Sequence, residues 1–182
     1  MDRIPIAIVG CGGMGGRHLL GLKELYDTPL CNVELVAVCD LRRDNAEHLA
    51  GQAKELLGVR PEIYQSMEAM VAALPDLQGV DITTDSGSHH AVATAAFDLG
   101  LHVMCEKPMT IDAEKCQAIL DAVERLATNR TVRLHVAGGG SGVEAPAAPR
   151  LLCRDLVDVR RPRSARHAQT GQPDDALGRN LP

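Results

Sequence analysis

The 182-residue chain is 45% apolar and 24% charged, the balance of a globular protein with room for one sizeable core. Its net charge is −5 and only Tyr26, Tyr64 and Phe97 are aromatic, which argues against a nucleic-acid surface of basic stripes and stacking rings. No apolar run approaches the ~18 residues that cross a membrane, so no membrane partner is expected.

The predicted elements alternate from the start. Ile4 to Val9 is a short β-branched run that stops at glycines, as a strand buried on both faces does. The stretch "GCGGMGGRHLLGLKEL" turns helical in its second half, with Leu19, Leu20 and Leu22 apolar. Val33 to Asp40 reads as a second buried strand, and "RDNAEHLAGQAKELLG" as a helix stopped by Gly58. "PEIYQS" suits a short third strand, followed by a helix with Ser66 as its N-cap. "GVDITT" is a fourth strand, "SHHAVATAAFDLG" a helix, and "HVMCE" a fifth strand. The spacing then predicts a helix from Thr110, taken as N-cap, to Ala127, and a sixth strand within "TVRLHVA". Such alternation implies an α/β fold, a Rossmann-type doubly wound parallel sheet.

The composition changes after residue 137. Through residue 130 there are eleven Lys and Arg against nineteen Asp and Glu; from 131 there are eight against five, and every base is Arg. Periodicity fades, save for Leu152, Leu156 and Val159 along one side of "APRLLCRDLVDV". The expected organisation is a dinucleotide-binding domain over residues 1–137 and, over 138–182, a short irregular tail or the remnant of a second domain.

Gly10, Gly12 and Gly15 form G-x-G-x-x-G, enclosing Gly13 and Met14, at the end of a strand and the start of a helix. The first glycine permits a tight turn, the second admits a pyrophosphate to the backbone, and the third lets helix and strand close up. Asp40 ends the next strand, where a carboxylate can accept from ribose hydroxyls and repel a 2′-phosphate. Arg42 and Arg43 follow at once, and either could grip that phosphate. NAD is therefore the expected cofactor, with NADP as the alternative.

Thr84 and the polar loop of Asp85, Ser86, Gly87, Ser88, His89 and His90 follow the fourth strand, beyond the edge where ligands sit in open parallel sheets. His18, His89 and His90, placed at helix starts, read as caps or ligand hydrogen-bonders rather than metal ligands, so no metal site is expected. Glu106, Lys107 and Pro108 leave the fifth strand at the same edge. Pro108 admits a cis peptide bond, which would aim Lys107 at the nicotinamide end of a cofactor, where it could ease deprotonation of a substrate hydroxyl. Taken alone, the same three residues also suit a surface ion pair worth little.

The six cysteines show no CxxC pair and no zinc spacing and sit mostly in apolar runs, which fits reduced thiols in a cytoplasmic protein. "MDRIPIAIVG" lacks a secretory n-region and cleavage site.

Together "IAIVGCGGMGGRH", "VAVCD" and "TTDSGSHHAVATAAFDLGLHVMCEKPMT" resemble the glucose–fructose oxidoreductase and inositol dehydrogenase family, from about Ile4 to Ala127. The resemblance implies an NAD(P)-dependent oxidoreductase of sugar- or polyol-like secondary alcohols. It implies that Lys107 assists catalysis or positions cofactor and substrate, and that Thr84 and His89 belong to the family's T-x-x-x-x-H loop. His18 matches the family's His three positions after the glycine turn. Members of that family carry a second α/β domain that bears a D-x-x-x-H pair; residues 138–182 hold no such pair, so a truncated form is expected. The alternative is a cofactor-binding module without turnover of its own, either a regulatory binder or a decayed gene product. Loss of the second domain would expose an apolar patch, so a homo-oligomer is a further expectation.

Overall fold

The computed structural model describes residues 3–127 and 134–136. The elements run β1 (Ile4–Val9), α1 (Gly13–Tyr26), β2 (Val33–Cys39), α2 (Arg43–Leu57), β3 (Glu62–Tyr64), α3 (Met67–Ala73), β4 (Gly79–Ile82), α4 (His89–Asp98), β5 (His102–Cys105), α5 (Ala113–Ala127) and β6 (Leu134–Val136). The strands form one six-stranded sheet in the order β3-β2-β1-β4-β5-β6, and every pairing is parallel. The order reverses between β1 and β4, which opens a crevice at their carboxyl ends. The expectation for residues 138–182 lies outside the described residues.

Alternation along the strands sorts the two faces. Ile8, Leu35 and Val38 pack with Leu19 of α1 and with Ala46, Leu49, Ala50 and Ala53 of α2. Ala7, Val9, Val80, Ile82, Val103 and Cys105 pack on the opposite face against Met67 and Met70 of α3, Ala93, Ala96 and Phe97 of α4, and Ile119 of α5. Phe97 and Ile119 are fully buried, each contributing about 2–3 kcal/mol of apolar burial. The period of two has a second consequence: Val80 and Ile82 face the α4 side, so Asp81 between them faces α1.

Several predicted boundaries hold. The Ser66 hydroxyl accepts from Ala69 N at 3.1 Å as the cap of α3, and Gly58 ends α2 at φ 74. Strands two, four and five stop one or two residues earlier than the apolar runs suggest, leaving Asp40, Thr83, Thr84 and Glu106 in the carboxyl-edge loops. One cap differs. Asp112, not Thr110, starts α5: its carboxylate accepts from Glu114 N at 2.9 Å and its carbonyl from Cys116 N at 3.0 Å. Thr110 instead accepts from Asp112 N in the preceding turn, too early in the chain to reach the first amides of α5. Of the apolar residues in α1, Leu19 is fully buried while Leu20 is 55% exposed.

Candidate active site

Gly10 sits at φ 98, and its amide donates to Cys39 O at 2.8 Å. A Cβ added here would stand 2.6 Å from Thr84 N, so only glycine lets the turn lie against the end of β4. Thr83 Oγ1 donates to Gly10 O at 2.6 Å and locks the two loops together. A Cβ on Gly15 would meet Gly10 O at 2.5 Å, so α1 can rest on β1 only without one.

Gly12 and Gly13 are different: a Cβ on either meets nothing within 4 Å. Gly12 is the N-cap of α1 and supplies no side-chain cap. The first amides of α1, from Gly13, Met14 and Gly15, have no carbonyl partner within the helix and stand at the positive end of its dipole, beside the open space at Gly12 and Gly13, which suits a diphosphate.

Asp40 Oδ2 accepts from Cys11 N at 2.7 Å, and Oδ1 accepts from Arg42 N at 2.8 Å, so the carboxylate is aimed by the glycine turn itself. Asn45 Nδ2 approaches both oxygens at 3.4 Å. An ionised carboxylate keeps further lone pairs for ribose hydroxyls. Arg43 pairs with Glu47 at 2.8 Å on the outer side of α2.

The loop after β4 is folded by Asp85, whose Oδ1 accepts from Gly87 N and Ser88 N. His89 opens α4 almost fully buried, with Nδ1 2.8 Å from Pro108 O and Nε2 3.0 Å from Thr84 O. It therefore ties the Thr84 loop to the turn after β5. Both carbonyls only accept, so both contacts are hydrogen bonds only in the doubly protonated ring.

Glu106 is 7% exposed at the end of β5. Its Oε2 accepts from Lys107 N at 2.7 Å and lies 3.8 Å from Lys107 Nζ. The Lys107–Pro108 peptide bond is cis, as anticipated. The Lys107 side chain is about half exposed at the carboxyl edge.

His18 lies in the second turn of α1 rather than at a helix start. Its Nδ1 is 2.7 Å from Asp81 Oδ2 and its Nε2 is 3.1 Å from Glu106 Oε1. The hydrogen bond to Asp81 leads in raising its pKa to about 9, with help from Glu106 and against the effect of burial. Burial pushes the Asp81 carboxyl up, and His18 only partly offsets this. Burial also pushes Glu106 up, but His18 and the Lys107 amide outweigh it and hold the group below the usual range.

Sequence reasoning missed Asp81 and Thr83. Both sit inside a run read as an ordinary buried strand, and the signal available was a lone acid among apolar residues. Among the described residues, Asp81 Oδ1 and His90 Nδ1 are buried without a hydrogen-bond partner. Among the described residues no cluster of His, Cys, Asp and Glu could hold a metal ion, and five cysteines are free thiols. Burial leads in pushing Cys11 and Cys105 up to about 12 and Cys39 up to about 11, so they are poor nucleophiles. No described helix is long and apolar enough to cross a membrane.

Residues 4–135 match the sequence model of the Gfo/Idh/MocA oxidoreductase family, NAD-binding Rossmann fold. The chain belongs to that family. It is 30% identical over 121 residues to the inositol 2-dehydrogenase/D-chiro-inositol 3-dehydrogenase of Lactiplantibacillus plantarum, covering 66% of this chain and 32% of that protein. Among solved structures, an NAD-binding oxidoreductase from Klebsiella pneumoniae superposes with TM-score 0.61 at 29% identity, over 75% of this chain and 34% of that one. The scyllo-inositol dehydrogenase of Lactobacillus casei, solved with NAD(H) and scyllo-inositol, gives TM-score 0.59 at 25% identity, over 74% and 36%. The chain thus spans about a third of the length of these relatives. Within the Gfo/Idh/MocA framework, the glycine turn and the E-K-P turn share one edge of the sheet, joined by Thr83, His89 and His18.

Proposed function

We propose that this chain is the dinucleotide-binding part, residues 1–137, of an NAD-dependent dehydrogenase acting on sugar- or polyol-like secondary alcohols. The observation that carries the reading is the uncapped amino end of α1, with open space at Gly12 and Gly13, on the same sheet edge as Lys107. The amides of Gly13, Met14 and Gly15 would hold the diphosphate, and Asp40 would accept from the adenosine ribose hydroxyls. Asp40 disfavours a 2′-phosphate, so NAD is preferred over NADP; Arg42, next to it, is the residue that would reverse the preference. Thr84, His89, Glu106 and Pro108 would line the path from ribose to nicotinamide.

When bound, the cofactor accepts a hydride from the substrate carbon. Lys107 would hydrogen-bond the reacting hydroxyl and ease loss of its proton, with Glu106 steadying the turn that carries it. One lysine at a sheet edge does not build a substrate pocket, and misplacement by about 1 Å can cost a hundredfold in rate. These 182 residues are therefore expected to bind NAD yet to show no polyol oxidation above background by themselves.

Calorimetry with NADH and NADPH, beside turnover assays on a panel of polyols, tests both halves. Binding of NADH tighter than NADPH without turnover is expected. Tighter NADPH binding would put Arg42 in charge of cofactor choice, and no binding of either would end the reading.

A further inference from the structure

The proposed reaction uses Lys107, yet the strongest polar construction nearby is one residue away from it. Glu106 Oε2 accepts the Lys107 amide at 2.7 Å, and Glu106 Oε1 faces His18 Nε2 at 3.1 Å. The other ring nitrogen faces Asp81 Oδ2 at 2.7 Å. Asp81 and Glu106 are 3% and 7% exposed, so water does little to stabilise either carboxylate. Three elements distant in sequence, α1, β4 and the end of β5, thus converge on a single ring.

We propose that His18 is a positioning residue for Lys107, acting through Glu106 and anchored from below by Asp81. The proposal rests on the reading of Lys107 as the group at the substrate hydroxyl. Asp81, His18, Glu106 and Lys107 form a chain of alternating charge that ends in the ammonium at the sheet edge. An ionised carboxylate only accepts hydrogen bonds, and a neutral imidazole has a single N–H. With both carboxylates ionised, His18 satisfies both only as an imidazolium. When it loses a proton, one nitrogen lone pair is left facing a buried carboxylate oxygen. Glu106 then loses its fixed orientation, and with it the hydrogen bond that sets the Lys107 backbone.

The groups facing the ring are few. β4 contributes Asp81, and the turn after β5 contributes Glu106 with Lys107 behind it. The neighbouring Cys105 thiol is held protonated, chiefly by burial. With its pKa raised from 6.5 to about 9, His18 keeps its proton at neutral pH and the clamp is lost as pH rises through about 9, while on the acid side it also needs Asp81 and Glu106 ionised. A histidine that merely pinned α1 to the sheet would change stability over this range without reaching Lys107.

Nuclear magnetic resonance of the full 182-residue chain separates the two roles. The His18 ring nitrogens, the Glu106 side-chain carboxyl carbon and the Lys107 backbone amide should shift together with one midpoint near pH 9. His18→Gln should remove that midpoint from the Lys107 amide, and Asp81→Asn should move it down toward 6.5. A Lys107 amide silent through the His18 titration, or one that keeps the midpoint in His18→Gln, overturns the proposal. The parent titration needs no variant, so a substituted chain that fails to fold leaves the test intact. It is also read without cofactor. NADH that fails to shift the amides of Gly10 to Gly15 sinks the cofactor reading, while the coupling of His18 to Lys107 stands or falls on its own signal.

Discussion

The glycine turn after β1 and the Glu106–Lys107–Pro108 turn after β5 occupy the same edge of the sheet but are shaped by different means. The first is made of backbone. Gly10 and Gly15 are where a side chain cannot fit, and Gly12 and Gly13 are where its absence leaves space. The second is made of side chains borrowed from elsewhere: His18 grips Glu106 from α1, and His89 grips Pro108 from α4. A backbone turn is set chiefly by steric exclusion, even where, as at Cys11, one amide also rests on a carboxylate. A turn held by histidines and carboxylates depends on the charge of each partner.

The largest effect expected from this contrast is at Gly10. Gly10→Ala combines a left-handed backbone with a Cβ 2.6 Å from Thr84 N, and should cost about 4 kcal/mol in urea unfolding. Gly12→Ala should stay within about 0.5 kcal/mol while weakening NADH binding about tenfold, because it crowds only the open space. Equal losses of stability at the two positions would dissolve the division between packed and open glycines.

On the side-chain side, Asp81→Ala should cost about 3 kcal/mol at neutral pH, since it leaves the His18 charge half paired beneath α1. A loss no larger than that of an exposed salt bridge would show that the buried pair contributes little. The pH dependence comes next. His18 gains a proton affinity on folding, so its contribution is full below pH 6.5 and fades as pH rises to about 9. Unfolding free energy should fall by on the order of 2 kcal/mol across that window, and His18→Gln should flatten the fall. A parent protein equally stable at both ends would remove the charge from the description.

Smaller effects sharpen the contrast. Asp40→Ser should narrow the preference for NADH over NADPH by roughly tenfold, about 1.4 kcal/mol, as read by calorimetry. Lys107→Ala should change unfolding by no more than about 0.5 kcal/mol and NADH affinity by no more than a few-fold. Its ammonium is half exposed and its ion pair with Glu106 is loose, at 3.8 Å. Large destabilisation by Lys107→Ala would mean that this lysine holds the turn rather than being held by it.

Legibility follows the same division. The sheet, its parallel order and the glycine turn could be read along the chain because their determinants are local. β-branched runs, caps such as Ser66 and glycines at fixed spacing act on their own neighbours. Asp40 was legible too, as the acid at the end of the strand after the glycine turn. The sequence placed Lys107 at the edge, but not what steadies it. Asp81 and Glu106 lie 63 and 88 residues along the chain from His18, and no local pattern connects the three. That connection exists because β4 lies beside β1 and an alternation of two turns Asp81 toward α1, where the second turn carries His18. The amino-acid order alone determined the strands, the open helix end and the family's fold. Only the packing of α1 across the crevice between β1 and β4 decided that a partly buried imidazole would meet the two carboxylates.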